Sequence, residues 1–334
     1  MTKYFRRKAS GVLAIGTMTV VLAACGGGGE ESASGDGGGE SSYPEDSIEV
    51  VVPAGAGGDT DRNTRTLAQH MEEELGVSLV VQNVEGSGGA TGSAEVMEAE
   101  PDGYRVLAHH DGLLLNEIIG LTDYGHSDFE LAGISVVDEG NTFLVSGDSE
   151  FEDFNDAIDY ATENPGELSV ATETGSLTHI QLMAIQEETG AEFNVVDAGG
   201  ASDKITALLG DQVDIIPTQI GLVDEYIQSG DMRSLGILAG ERMDQYPDVP
   251  TLQEQDIDIE MEKVYLWAFP PETPEDVVTT FTEAMETTVM ENEEFREEME
   301  GYAVNPQYYN PEDAAAYLDD AKETYEQYYE ASQE

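Results

Sequence analysis

From Tyr43 onward, short apolar runs alternate with amphipathic stretches. Ile48-Glu49-Val50-Val51-Val52 reads as a strand that ends in a glycine-rich turn over residues 53–58. Residues 61–75 then set Leu67, Ala68, Met71 and Leu75 at the three- and four-residue spacing of a helix with one buried face. Leu79-Val80-Val81 is a second strand, followed by a turn over residues 86–92 and a helix to Glu98; residues 104–108 form a third. The rhythm returns downstream. Strands at 168–171, 193–196, 213–216 and 234–238 enclose a helix from about Ser176 to Thr189, a Gly199-Gly200 turn and a helix through Leu209. From Pro274 the chain reads as mostly helical, with Pro274 at a helix start and Phe281, Met285 and Val289 four apart. This alternation predicts the α/β class, with parallel sheets and ligand loops at the strand C-termini. The 334 residues exceed what one hydrophobic core organises, so two α/β lobes and a helical C-terminal stretch are expected.

The first 42 residues break the pattern. Lys3, Arg6, Arg7 and Lys8 precede a predominantly apolar, uncharged run from Gly11 to Ala24, too short to span a bilayer but suited to a secretory leader. The Arg6-Arg7 pair leaves twin-arginine export open beside the general secretory route. Leu22-Ala23-Ala24-Cys25 resembles the bacterial lipobox, in which the cysteine becomes the lipidated first residue. Residues 26–42 hold eight glycines and no large apolar side chain, the composition of a flexible tether. The expected division is 1–25 as lipoprotein signal peptide and 26–42 as linker, giving an extracytoplasmic domain anchored to the membrane through Cys25.

Charge narrows the function classes. Thirteen Lys and Arg face 70 Asp and Glu, for a net charge of −57, and removal of residues 1–25 leaves nine cations against the same 70 acids. Nucleic acid and anionic bilayer surfaces, which need clustered cations, are excluded as extended partners. The acids are interspersed with apolar residues, which fits a folded protein of high-salt surroundings whose self-repulsion is screened by ions. A single cysteine excludes a disulfide framework and a cysteine-based zinc cage.

Enzyme motifs fail on inspection. The two glycine turns each lack the last glycine of a dinucleotide fingerprint, and no Gly-Lys-Ser/Thr completes a phosphate loop. Asp59-Thr60-Asp61-Arg62-Asn63 opens like a calcium loop, but Thr64 stands where glycine is needed and His70 where glutamate is needed. No Gly-x-Ser-x-Gly elbow occurs, and Ser176 with His179 is not a triad by itself. No enzyme, no metal and no cofactor are expected.

Six segments, in order, carry a family resemblance. Residues 48–61, strand-Pro53-Ala54-Gly55-Ala56-Gly57-Gly58-x-x-Asp61, look like the first motif of the Bug/TctC-type substrate-binding proteins of tripartite tricarboxylate transporters. Asn83-Val84-Glu85-Gly86-Ser87-Gly88-Gly89-Ala90-Thr91-Gly92, Pro101-Asp102-Gly103-Tyr104, Gly175-Ser176-Leu177-Thr178-His179, Leu208-Leu209-Gly210-Asp211-Gln212-Val213-Asp214 and Pro247-Asp248-Val249-Pro250-Thr251-Leu252-Gln253-Glu254 resemble the motifs that follow. The likeness runs from about residue 43 to the C-terminus. Two departures stand out: Asp197-Ala198 replaces an aromatic before the glycine turn, and Asp211 replaces a glycine.

The resemblance implies a two-lobed type II periplasmic-binding-protein fold with a ligand cleft between lobes. Lobe 1 is expected over 43–147 plus 266–334 and lobe 2 over 148–265, with crossings near 145–148 and 263–269. It also implies a monomeric receptor whose partners are a small organic anion and the large and small membrane subunits of the transporter. A sensor for a membrane receptor kinase and, remotely, a secreted hydrolase are the rivals. The glycines of the first turn bring N–H groups towards a ligand, and an uncapped helix start offers donors and partial positive charge to a carboxylate.

Candidate ligand contacts are therefore Ala54, Gly55, Ala56, Gly57, Gly58, Asp61, His109, Asp111, Thr174, Gly175, Ser176, His179, Gly200 and Asp214. Asp61 reads either as a helix cap or as a group orienting the loop; one of His109, His110 and Asp111 is expected against ligand; His179 and Asp214 read equally as structural. Only Arg62 among the cations lies in a loop motif, on a helix start that faces solvent, so backbone amides are expected to hold the anion.

Overall fold

The computed structural model describes residues 42–259 and 261–332. The expected leader, Cys25 and the tether up to residue 41 lie outside the described residues. The predicted βα units form close to where the periodicity puts them. In the first lobe β1 (Ile48–Val52), α1 (Asp59–Leu75), β2 (Leu79–Asn83), α2 (Ala90–Met97), β3 (Arg105–His110), α3 (Gly112–Ile118) and β4 (Glu130–Asp138) follow in order. The second lobe contains β5 (Asn141–Ser146), α4 (Phe154–Glu163), β6 (Ser169–Thr172), α5 (Leu177–Thr189), β7 (Asn194–Asp197), α6 (Ala201–Leu209), β8 (Ile215–Gln219), α7 (Asp224–Ser229) and β9 (Met232–Ile237). The chain returns to the first lobe with β10 (Lys263–Phe269), α8 (Glu275–Glu291), α9 (Glu293–Gly301), β11 (Asn305–Tyr309) and α10 (Pro311–Ala331).

One sheet has the order β11-β4-β10-β3-β1-β2 and the other β7-β6-β8-β5-β9. Strands β1, β2 and β3 are parallel, as are β6, β7 and β8, while β10 and β5 run antiparallel to their neighbours. Both sheets are thus mixed, because the strands next to the lobe crossings enter from the opposite end.

Helix α1 buries Leu67, Ala68, Met71 and Leu75 against Ile48, Val50 and Val52 of β1, together with Phe281, Met285 and Val289 of α8. The other face of that sheet packs Val51 and Leu107 under Leu113, Leu114, Ala314 and Leu318. Each fully buried Val, Leu, Ile, Phe or Met side chain among them contributes roughly 1.5–3 kcal/mol relative to exposure.

The first crossing falls at Glu139-Gly140, between β4 and β5, and not at 145–148. The apolar run from Leu131 to Val145 is two strands, and its polar break marks the junction: Asp138 Oδ1 accepts a 2.8 Å hydrogen bond from the Gly140 N–H and closes the turn. The second crossing lies before Lys263, because Ile257, Ile259 and Met261 still pack into the second lobe. Residues 263–269 are instead a central strand of the first lobe. Helix α10 adds a third connection. Its Ala314 and Leu318 join the first lobe's core, and its Tyr325 the second's.

Candidate functional site

The parallel strands of the two sheets end towards each other, and their βα loops enclose a cavity of about 310 Å³. Residues 53–58 leave β1, residues 84–89 leave β2, residues 173–176 leave β6 and residues 198–200 leave β7; members of all four loops line it. Three helices begin at this space: α1 after Gly58, α5 after Ser176 and α6 after Gly200. None of these three N-cap residues places a side chain on the helix's free N–H groups. At α1 the Asp59 carboxylate takes the Thr60 N–H at 2.9 Å, whereas the α5 and α6 starts offer donors and partial positive charge to whatever occupies the cavity.

The lobes touch around it. Gly88, at φ +60°, brings the first lobe's second loop against the second lobe, where a side chain's Cβ would come within 2.8 Å of the Thr174 carbonyl oxygen. Asn116 fixes that loop through its Nδ2–H bond to the Gly88 carbonyl at 3.0 Å.

Of the expected contacts, Ala54, Gly55, Gly58, Ser176 and Gly200 line the cavity, together with His110. Ala56 and Gly57 sit on the exposed side of their loop. Asp61 turns away from the space and orients the loop: Oδ2 accepts from Gly57 N–H at 2.9 Å, and Oδ1 from Arg65 Nε at 2.8 Å and Asn83 Nδ2 at 2.9 Å. His109 is buried beside His110 with neither ring nitrogen hydrogen-bonded, and burial followed by the nearby Lys263 charge lowers its pKa to about 3. Asp111 accepts from the Val264 N–H at 2.9 Å and so ties α3 to β10.

Thr174 points outward to Asp197 Oδ2 at 2.7 Å, and Gly175 and the half-buried His179 lie off the lining. Asp214 lies off the lining too. It precedes β8 at the far end of the sheet, where it accepts from Ser169 N–H at 2.8 Å and Ser169 Oγ at 2.5 Å. Arg62 does not face solvent either: Nη2 donates to Gln219 Oε1 at 2.8 Å across the lobes, and the guanidinium lies 4.2 Å from the centre of the Tyr302 ring.

The loop motifs missed the cavity's charged lining. Lys263 Nζ is 2.6 Å from Asp59 Oδ2, which also accepts from the Tyr265 hydroxyl at 3.0 Å. Burial alone would raise the Asp59 carboxyl, but the Lys263 charge and hydrogen bond outweigh it and hold the carboxyl well below its usual range. Lys204, one turn into α6, is 4% exposed and donates to Thr178 Oγ1 at 3.4 Å. Burial, then repulsion from Lys263, lowers its pKa to about 8.

Glu85, Glu173 and Asp203 also line the cavity, and burial raises the Glu173 carboxyl. His110 Nδ1 accepts from Gly112 N–H at 2.9 Å, so the ring, held neutral by burial and Lys263, keeps its proton on Nε2 as a donor. Asn141 Nδ2 and Thr218 Oγ1 are buried in the same lining without partners. A signal for the lysines did exist in the sequence: after residue 25 the chain has only Lys204, Lys263 and Lys322, and two of the three are here.

The arrangement suits holding a polar solute rather than transforming one. Ser176 Oγ is engaged by the Glu173 carbonyl at 2.7 Å and by Thr178 Oγ1 at 2.9 Å, with no histidine among its partners. Among the described residues no group of His, Cys, Asp and Glu is placed to hold a metal ion, and no helix is long and apolar enough to cross a membrane.

Comparison with known proteins agrees with this geometry. BugT of Bordetella pertussis is 32% identical over 219 residues, 64% of this chain and 67% of BugT. The solved structure of the periplasmic binding protein BugD matches with a TM-score of 0.80 at 26% identity, covering 87% of this chain and 99% of that one. MatC from Rhodopseudomonas palustris, solved with bound malate, shares the fold at a TM-score of 0.78 and 22% identity, over 86% and 99% of the two chains. Residues 63–331 match the family described as the tripartite tricarboxylate transporter family receptor. With its two lobes, its enclosed cavity and a match over most of its length, the chain belongs to that family of solute-binding receptors.

Proposed function

We propose that this receptor captures a small carboxylate outside the cytoplasm, in the cavity between its lobes, and delivers it to the large and small membrane subunits of a tripartite transporter. The observation that carries the reading is the convergence of two uncapped helix N-termini, those of α5 and α6, and two lysines largely excluded from water on one space, in a protein whose net charge is −57. The overall field opposes an approaching anion, so affinity comes from this local lining and survives in high salt. Bound malate in MatC, a chain of the same fold, supports a carboxylate as the class of ligand. A lipidated Cys25 followed by the glycine-rich tether keeps the receptor at the membrane; Cys25→Ser should release it from the membrane fraction, and retention would contradict the anchor.

A thermal-shift screen of mono-, di- and tricarboxylates in 2 M NaCl tests the capture step. A ligand held at a hundred times its dissociation constant adds about 2.7 kcal/mol of stability. A panel in which sugars or cations stabilise the protein and no carboxylate does would overturn the reading.

A further inference from the structure

The cavity's two lysines differ in what neutralises them. Lys263 is paired with Asp59 at 2.6 Å and presents little net charge to the space. Lys204 has no ion-pair partner among the described residues; its ammonium reaches Thr178 Oγ1 at 3.4 Å, and that hydroxyl is shared with Thr172 and Ser176. The charged and titratable groups around it are Glu173 from the loop after β6, Asp59 on α1, Lys263 on β10, Asp203 beside it on α6, and Glu85 and His110 across the cavity. The Thr218 hydroxyl and the Asn141 amide, both buried and unpartnered, complete the polar lining. A buried ammonium with no counter-ion is costly, so its surroundings favour any ligand that brings the missing negative charge.

We propose that Lys204 is the specificity-determining residue of this receptor: it pairs with one carboxylate of the ligand in the second lobe while the first lobe's lining, the His110 Nε2–H and the loop at Ala54 and Gly55, holds another. The site therefore selects a ligand carrying carboxylates at both ends over a monocarboxylate of the same length. This rests on the carboxylate reading of the cavity and adds to it the charge that the far end of the ligand must carry. A methyl terminus at that position leaves the ammonium unpaired, and the discrimination arises from that penalty as much as from the new attraction. With its pKa near 8, Lys204 is charged at neutral pH and loses its proton in mild alkali.

Isothermal titration in 2 M NaCl with three matched pairs tests this: butyrate and succinate, valerate and glutarate, caproate and adipate. Wild-type protein should prefer the dicarboxylate of at least one pair by about thirtyfold or more. Lys204→Met should remove that preference by weakening the dicarboxylate while leaving the monocarboxylate within a few-fold. Lys204→Arg should keep it, and only the wild type should lose it between pH 7 and pH 9.5, because guanidinium stays charged. A cooperative melting transition in each variant confirms folding. Binding of none of the six acids by the wild type defeats the carboxylate reading and this inference with it. Carboxylate binding with the same preference in wild type and Lys204→Met, or with no preference in wild type, defeats this inference alone.

Discussion

Lys263 and Lys204 enter the same cavity from opposite lobes, both nearly excluded from water, and their surroundings treat them differently. Around Lys263 the first lobe gathers carboxyls: Asp59 in direct contact, Asp138 as its cross-strand neighbour on β4, and Asp111 bonded to the next residue's N–H. The second lobe leaves Lys204 with hydroxyls. One half of the site is thus neutralised within the protein before any solute arrives, and the other keeps an uncompensated charge. A cation serves the fold where its counter-ion is built in, and it serves recognition where the counter-ion is left out.

The sharpest way to break the comparison is to remove the built-in cation. Lys263→Met leaves Asp59 buried without its partner, and denaturant unfolding should show a loss of about 3–5 kcal/mol. The double variant Asp59→Asn/Lys263→Met should recover much of it. Wild-type stability in the single variant would mean that the pair is not a unit.

Next in size is the pH dependence of the carboxyls beside Lys263. Burial raises both Asp111 and Asp138 to about 7, so between roughly pH 4 and pH 7 the folded state holds protons that the unfolded chain has released. Stability contributed by these groups therefore falls as pH rises through that window, by on the order of 1 kcal/mol per pH unit, and levels off above it. Asp59 acts in the opposite sense, its contribution being lost as pH falls below its unfolded value near 4. Unfolding of Asp111→Asn and Asp138→Asn, followed from pH 5 to pH 8, should each show a flatter profile than wild type. An unchanged slope in both would assign the dependence to other acids.

The smallest effect has the opposite sign. With no ligand present, Lys204→Met removes a buried charge that nothing neutralises, and the empty protein should gain about 1–2 kcal/mol. A loss of stability would show that Lys204 is satisfied within the protein after all.

Much of the architecture was legible because it is local. The spacing of Leu67, Ala68, Met71 and Leu75 reports a buried helix face, and the same residues pack beneath β1. Glycine clusters after apolar runs marked the loops that close on the cavity. Less legible were the lobe boundaries, since β4 and β5 share one apolar run and only Asp138-Glu139-Gly140 separates them. The side chains at the ligand-facing ends were the least legible. Asp61 sits in a glycine-loop motif yet points away from the space, while Lys204 lies inside a helix and Lys263 opens a strand, where no turn pattern draws attention to them.

By itself, the sequence determined the alternation of strands and helices, the positions of the glycine turns and the class of protein, because periodicity and turn chemistry act between residues near one another in the chain. The tertiary structure alone decided which charges meet. Asp59 and Lys263 are 204 residues apart and come within 2.6 Å only when β10 returns to the first lobe's sheet. Lys204 is left without such a partner by the same folding. Whether a lysine is neutralised or exposed to a ligand depends on distances of a few ångströms and on exclusion from water, and neither exists until the lobes have closed around the cavity.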